Sequence, residues 1–250
     1  MPNYFVHLVI AIISYHIHYI MSDQVDWFSE HVPAWQRVLV TPKARALLIG
    51  TYDGRCVRWL FDNVLTSPRS TAVVVDRFDY PDVVSMEGRN VRYPATEVEA
   101  TFKRRLADVL RARRLRVVRK EPYDALVQER RGTFDLVYID ARGSSHAMET
   151  AVMAFRLMAP GAMLVITNNT HGVRHDATCP RRGIDGFLDA YAAQLHVLRQ
   201  GFHVFAQKRE LHLRMGPCEA EYFVPDRRPN PATTTTPTHK NRKQLKPRQR

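Results

Sequence analysis

Five places in this chain carry residue types that could do chemistry, and four of them follow an apolar run. Gly50-Thr51-Tyr52-Asp53-Gly54 follows Ala46–Ile49. Asp76 closes Thr71–Val75, and Asp140 closes Phe134–Ile139. Asn168-Asn169 follows Ala162–Thr167, and His146 stands six residues past Asp140. Glycines let a turn pass close to a ligand, and a helix start behind them offers free N–H groups. A carboxylate at a strand end accepts hydrogen bonds from hydroxyls. Histidine exchanges a proton near neutrality.

The elements that must position these residues are legible from pattern. A first helix is read over 25–40 and a strand over 46–49. A helix over 55–65 and a strand over 71–76 follow. Further helices are read over 97–114, 123–129, 145–158 and 184–195. Further strands are read over 115–118, 134–140 and 162–167, and a hairpin over 195–199 and 203–208. The strands lack polar–apolar alternation and are separated by helices. They predict an α/β, doubly wound, mostly parallel sheet with a C-terminal antiparallel hairpin strand. Ligands in such sheets bind outside the carboxyl ends of the strands, where Gly50–Gly54, Asp76, Asp140 and Asn168-Asn169 fall.

Composition bounds the rest. At 250 residues and 45% hydrophobic content the chain can bury one good core. Its net charge of +12 is concentrated at one end: positions 227–250 hold eight Lys/Arg and no acid, leaving 29 basic against 25 acidic residues elsewhere. The expected organisation is an apolar extension over 1–22, a domain over 23–226 and a disordered basic tail over 227–250. Nucleic acid is a partner only through that tail. The Arg residues at 104, 105, 111, 113, 114, 116 and 119 read as a solvated helix face. Residues 4–20 are apolar, broken by His7, His16 and His18. Three readings stay open for them: a membrane anchor, a partner-binding helix, or an extension before a start at Met21. Cys56, Cys179 and Cys218 lack zinc spacing and favour a reducing, cytoplasmic location, with membrane association left to residues 4–20.

The order of these features resembles the class I S-adenosylmethionine-dependent methyltransferases, in the small-molecule O-methyltransferase-like branch. The branch's Glu-Ile-Gly-Ser-x-x-Gly-Arg-Ser stretch is matched by Leu48-Ile49-Gly50-Thr51-Tyr52-Asp53-Gly54-Arg55-Cys56. Its Ile-Asp-Gly-Ser-His is matched by Ile139-Asp140 and, after an insertion-like stretch, Ser145-His146. Leu157-Met158-Ala159-Pro160-Gly161-Ala162 stands where the branch has Leu-Leu-x-Pro-Gly-Gly. The resemblance covers about 27–208. It implies S-adenosylmethionine as cofactor, bound by Gly50, Thr51, Tyr52, Gly54, Cys56, Asp76, Arg77 and Asp140. Asp76 would accept both ribose hydroxyls, and Lys120-Glu121-Pro122 would border the adenine. His146 would be the catalytic base.

Three places depart from the branch. Leu48 replaces a Glu that fixes the cofactor's amino group, and Cys56 replaces a Ser. Asn168-Asn169 replaces an Asp-Asp or Asp-Asn pair that, with the Asp matching Asp140, holds a divalent cation in the metal-dependent relatives. One carboxylate (Asp140) and two amides (Asn168, Asn169) make a poor site for a hard ion, so no divalent metal is expected. The expected function is methyl transfer to a hydroxyl of a small molecule or sugar. A catalytically inactive binding or scaffolding protein is the alternative. A dinucleotide or nucleotide-sugar enzyme is a third reading, disfavoured by the lack of Gly-x-Gly-x-x-Gly. Neither the acceptor nor the oligomeric state is legible.

Overall fold

The computed structural model describes residue 26 and residues 28–80, 83–86, 89–92, 95–141, 143–168 and 179–210. The apolar run over 4–20 and the basic tail lie outside the described residues, as do Asn169 and Cys218. Among the described residues no helix is long and apolar enough to cross a membrane.

A short 3-10 turn, Ser29–His31, leads into α1 (Val32–Val38). β1 (Arg45–Ile49), α2 (Arg55–Asn63) and β2 (Thr71–Val75) follow. β3 (Val83–Met86) and β4 (Arg89–Arg92) form a separate antiparallel pair. α3 (Ala95–Arg105), α4 (Ala107–Arg111), β5 (Leu115–Val118), α5 (Pro122–Leu126), β6 (Phe134–Ile139) and α6 (Ser144–Phe155) come next. β7 (Met158–Ile166), α7 (Arg181–Ala190), β8 (Leu195–Gln200) and β9 (Val204–Lys208) complete the order.

The main sheet has seven strands in the order β5-β2-β1-β6-β7-β9-β8. β5, β2, β1, β6 and β7 are parallel, and β9 pairs antiparallel with both β7 and β8. This is the expected α/β sheet. It is covered on both faces, so successive residues of one strand enter opposite cores. Leu48 packs with Trp35, Leu60, Val74 and Phe102 on one face, whereas Leu47 and Ile49 pack with Val137, Ala151 and Phe187 on the other. Two-sided burial is why the strands read as unbroken apolar runs.

Three elements differ from the expectation. The helix read over 97–114 is two helices, broken at Leu106, which leaves helical geometry (φ −112°, ψ 17°) to bury its side chain. The β3–β4 pair lies between the strand over 71–76 and the helix over 97–114, where no element is read; its strands have four residues each. β7 begins at Met158 and runs through Pro160-Gly161, the expected break. Pro160 lacks an N–H, but it lies at a register shift, ahead of the stretch where Met163–Ile166 pair with both neighbours.

Candidate active site

The topology reverses between β1 and β6, and the turn after β1 lies at that point. The Gly50 N–H donates to Val75 O (2.9 Å), and the Asp140 N–H donates to Ile49 O (2.8 Å). The ends of β2, β1 and β6 are thereby aligned on one rim. Gly50 has φ +72°, and a Cβ there would stand 2.9 Å from the Cβ of Asp140. Gly54 has φ +83° as it starts α2, and a Cβ would stand 2.8 Å from the Phe102 ring. Both the left-handed backbone and the close approach exclude a side chain at these two positions.

A cleft of about 280 Å³ opens on this rim. Gly50, Asp76, Arg77, Lys120, Asp140 and His146 are among the residues that line it, with Glu121 and Pro122 at one side. The carboxyl ends of three strands and the start of α6 thus meet in one place. His146 reaches the cleft because α6 begins directly after the β6 turn. Arg77 bridges Asp79 and Glu121 at the same cleft.

Asp76 is buried and held by neutral donors. Its Oδ2 accepts the Thr51 N–H (2.7 Å), the Thr51 hydroxyl (3.3 Å) and the Tyr80 hydroxyl (2.7 Å); its Oδ1 accepts the Phe78 N–H (2.9 Å). The Tyr80 oxygen in turn accepts the Tyr52 N–H (2.9 Å). Tyr52 has φ +50°, so this bond braces a strained part of the turn.

Asp53 is buried as well, yet it faces cations. Its Oδ2 pairs with Arg55 Nε (2.9 Å) and Arg105 Nη1 (2.8 Å), and Arg105 also donates to the Asp53 carbonyl (2.6 Å). Arg105 and Arg114 depart from the reading of these arginines as a solvated helix face and strand entry, whereas Arg104, Arg111, Arg113, Arg116 and Arg119 are exposed as read. Arg114 donates to the carbonyls of Leu65, Ser67 and Ser70 with its guanidinium over the Phe61 ring. Arg116 pairs with Glu129, and Arg119 with Glu99 (3.1 Å).

At the end of β7, Asn168 donates its amide to Asp140 Oδ1 (2.6 Å) and to Ala141 O (3.1 Å). Asn168 therefore meets Asp140 as a donor. Among the described residues no group of three His, Cys, Asp or Glu is placed to hold a metal ion.

Of the sequence candidates, Gly50, Asp76, Arg77, Asp140 and His146 converge on the cleft, whereas Thr51, Tyr52, Gly54 and Cys56 do not line it. Thr51 and Tyr52 face the Asp76–Tyr80 network, and Gly54 packs on Phe102. Cys56 is fully buried in the core, close to the Tyr138 hydroxyl. Burial, then the nearby carboxylates of Asp53 and Asp140, push its thiol far up. It has no ionised form to offer a ligand. Leu48 is equally buried, so its position holds core packing and no polar contact. Tyr80 and Asp53 were missed. Tyr80 sits in a loop without periodicity, and the partner of Asp53 is remote in sequence.

A larger hollow, about 420 Å³, lies at the opposite end of the strands against Gly161, His196, Gln207 and Lys208. The Lys208 ammonium there binds the carbonyls of Phe155 and Met158 at 3.0 and 2.9 Å.

No family model and no curated protein matches this sequence. Solved structures do. An O-methyltransferase from Bacillus cereus, solved with SAH, matches at a TM-score of 0.53 and 17% identity, over 78% of this chain and 88% of that one. A Klebsiella pneumoniae protein assigned as an O-methyltransferase matches at 0.53 and 15%, over 75% and 83%. A Clostridium thermocellum protein assigned as an rRNA methylase matches at 0.54 and 10%, over 74% and 98%. What these share with the present chain is the sheet and the order of its helices. The chain has the Rossmann-like fold of the class I S-adenosylmethionine-dependent methyltransferases.

Proposed function

We propose that the chain is an S-adenosylmethionine-dependent methyltransferase acting on a hydroxyl of a small molecule or sugar. The observation that carries this reading is the convergence of Gly50, Asp76, Asp140 and His146 on one cleft at the strand ends. The donor set suits the cofactor. Asp76 is a fixed carboxylate at the cleft, as a ribose hydroxyl requires. Lys120, Glu121 and Pro122 border the cleft where an adenine would lie. Glycine at position 50 leaves the floor open beside Asp140. Leu48, where relatives carry a Glu, leaves the amino end of the cofactor to other groups.

When bound, the cofactor supplies an electrophilic methyl carbon on its sulfonium. The protein's work is then to align an acceptor oxygen and to take its proton. His146 is the group on the cleft suited to that proton. Asp140 keeps its carboxylate fixed through Asn168, so we assign this pair to hydrogen bonding and not to a metal. The arginines that pair within the chain argue against carrying over the rRNA acceptor of the Clostridium neighbour. The alternative, an inactive binding or scaffolding domain, predicts cofactor binding without turnover.

The test is transfer of a labelled methyl group from S-adenosylmethionine to a panel of phenols and sugars. Transfer should survive EDTA and fall by on the order of a hundredfold or more in His146→Ala, the scale of general-base removal. Activity abolished by EDTA and restored by magnesium would show that one carboxylate and the amides suffice for a metal. Binding with no transfer to any acceptor would favour the inactive alternative.

A further inference from the structure

We propose that Tyr80 is a positioning residue that occupies one side of the Asp76 carboxylate, so that Asp76 can hold one ribose hydroxyl and not two. This rests on the cofactor reading above and concerns how that site is built. A carboxylate offers about four lone-pair positions, two on each oxygen. Oδ2 accepts the Thr51 N–H and the Tyr80 hydroxyl at 2.7 Å each, with the Thr51 hydroxyl at 3.3 Å. It is full. Among the described residues Oδ1 accepts one donor, the Phe78 N–H, at 2.9 Å. One position remains, and it belongs to Oδ1.

Tyr80 is no loose neighbour that a ligand would displace at little cost. It is 8% exposed and packs in the core. Its ring meets Tyr52 edge-on, with centroids 4.9 Å apart. Its oxygen accepts the Tyr52 N–H while its proton goes to Asp76. Swinging the ring out would orphan a turn amide and a carboxylate oxygen together, and each orphan is costly when buried. The hydroxyl therefore stays and orients Asp76 with Oδ1 presented for the ligand.

The experiment is calorimetric titration of the full chain with S-adenosylhomocysteine and with its 2′-deoxy and 3′-deoxy analogues. It is run on the natural protein and on Tyr80→Phe, and hydroxyl penalties are counted only where Asp76→Ala removes them. In the natural protein one analogue should bind roughly tenfold or more weakly than S-adenosylhomocysteine, the scale of a hydrogen bond to a charged group. The other should bind within about threefold of it. In Tyr80→Phe the Thr51 and Phe78 N–H groups still hold the carboxylate, the freed Oδ2 position can take the second hydroxyl, and the formerly insensitive analogue should gain a penalty of roughly tenfold. Equal and large penalties for both analogues in the natural protein would overturn the inference, as would no penalty for either. A Tyr80→Phe protein that melts lower yet leaves the other analogue without a penalty would show Tyr80 to be structural only, and would also overturn it. Failure of the natural protein to bind S-adenosylhomocysteine at all would instead sink the cofactor reading on which this rests.

Discussion

Asp53 and Asp76 flank the same glycine turn, and both are buried, but the chain holds them in opposite ways. Asp53 lies between two guanidiniums, Arg55 and Arg105, that neutralise it inside the protein. Asp76 has no cation on it, only amide and hydroxyl donors, and it keeps an open acceptor position at the cleft. A carboxylate already matched by cations has little left to give a ligand. A carboxylate fixed by neutral donors stays oriented and available. Burial alone does not separate the two roles; the kind of partner does.

The comparison breaks most visibly at Asp53. Asp53→Ala would remove the carboxylate that Arg55 and Arg105 share at a buried turn and loosen the anchor between that turn and α3. Removing one partner of a buried pair costs about 3–5 kcal/mol, so a large fall in melting temperature is expected. Arg105→Ala should fall in the same direction, with the affinity for S-adenosylhomocysteine kept within roughly threefold, since neither Asp53 nor Arg105 lines the cleft. A collapse of affinity in a well-folded Arg105→Ala would mean that the pair serves the ligand after all.

Asp76→Ala should show the reverse balance. Cofactor affinity is expected to drop by about 1.5–3 kcal/mol, the scale of a charged hydrogen bond, with a smaller loss of melting temperature than in Asp53→Ala. Calorimetry beside thermal melting of both variants checks the ordering. Equal affinity losses for the two would erase the distinction.

The smallest effect concerns a third mode of burial, a titratable group with no charge partner. His203 is 4% exposed among Trp35, His31 and Phe205. Burial first, then His31 and Arg199, lower it from 6.5 to about 3. His31, stacked on Phe202, is lowered too by burial, against an opposing pull from Glu30. A lowered histidine is neutral when folded and takes a proton when unfolded. Its stability is therefore present above pH 6.5 and is lost progressively as pH falls toward 3. By about pH 5 the loss should be on the order of 1–2 kcal/mol. His203→Phe should flatten the fall in melting temperature between about pH 7 and pH 5, leaving the part due to His31. An unchanged slope would show that His203 does not carry it.

The sequence announced the rim far better than what braces it. Asp76, Asp140 and Asn168 are visible because a buried parallel strand reads as an apolar run, and its first polar residue marks the ligand end. Gly50 and Gly54 are visible because a strand–helix turn needs them. Tyr80 has no such signal: it reaches Asp76 from a loop whose pattern predicts nothing. The Asp53–Arg105 pair joins residues on opposite sides of β2, so Arg105 reads as one more member of a solvated face until the fold closes. Cys56 misled for a related reason. Its place in the motif suggested a ligand contact, but the helical start turns it into the core against Tyr138. The break at Leu106 and the run of β7 through Pro160-Gly161 are tertiary outcomes that local propensity opposes.

The central claim is that this cleft holds S-adenosylmethionine through Asp76. The most direct measurement is calorimetric titration of the full chain with S-adenosylhomocysteine, repeated on Asp76→Ala. A single saturable binding event, weakened at least about tenfold in Asp76→Ala while Arg105→Ala retains it, is the predicted result. No saturable binding to a natural protein that melts cooperatively, or binding that is indifferent to Asp76, would contradict the account.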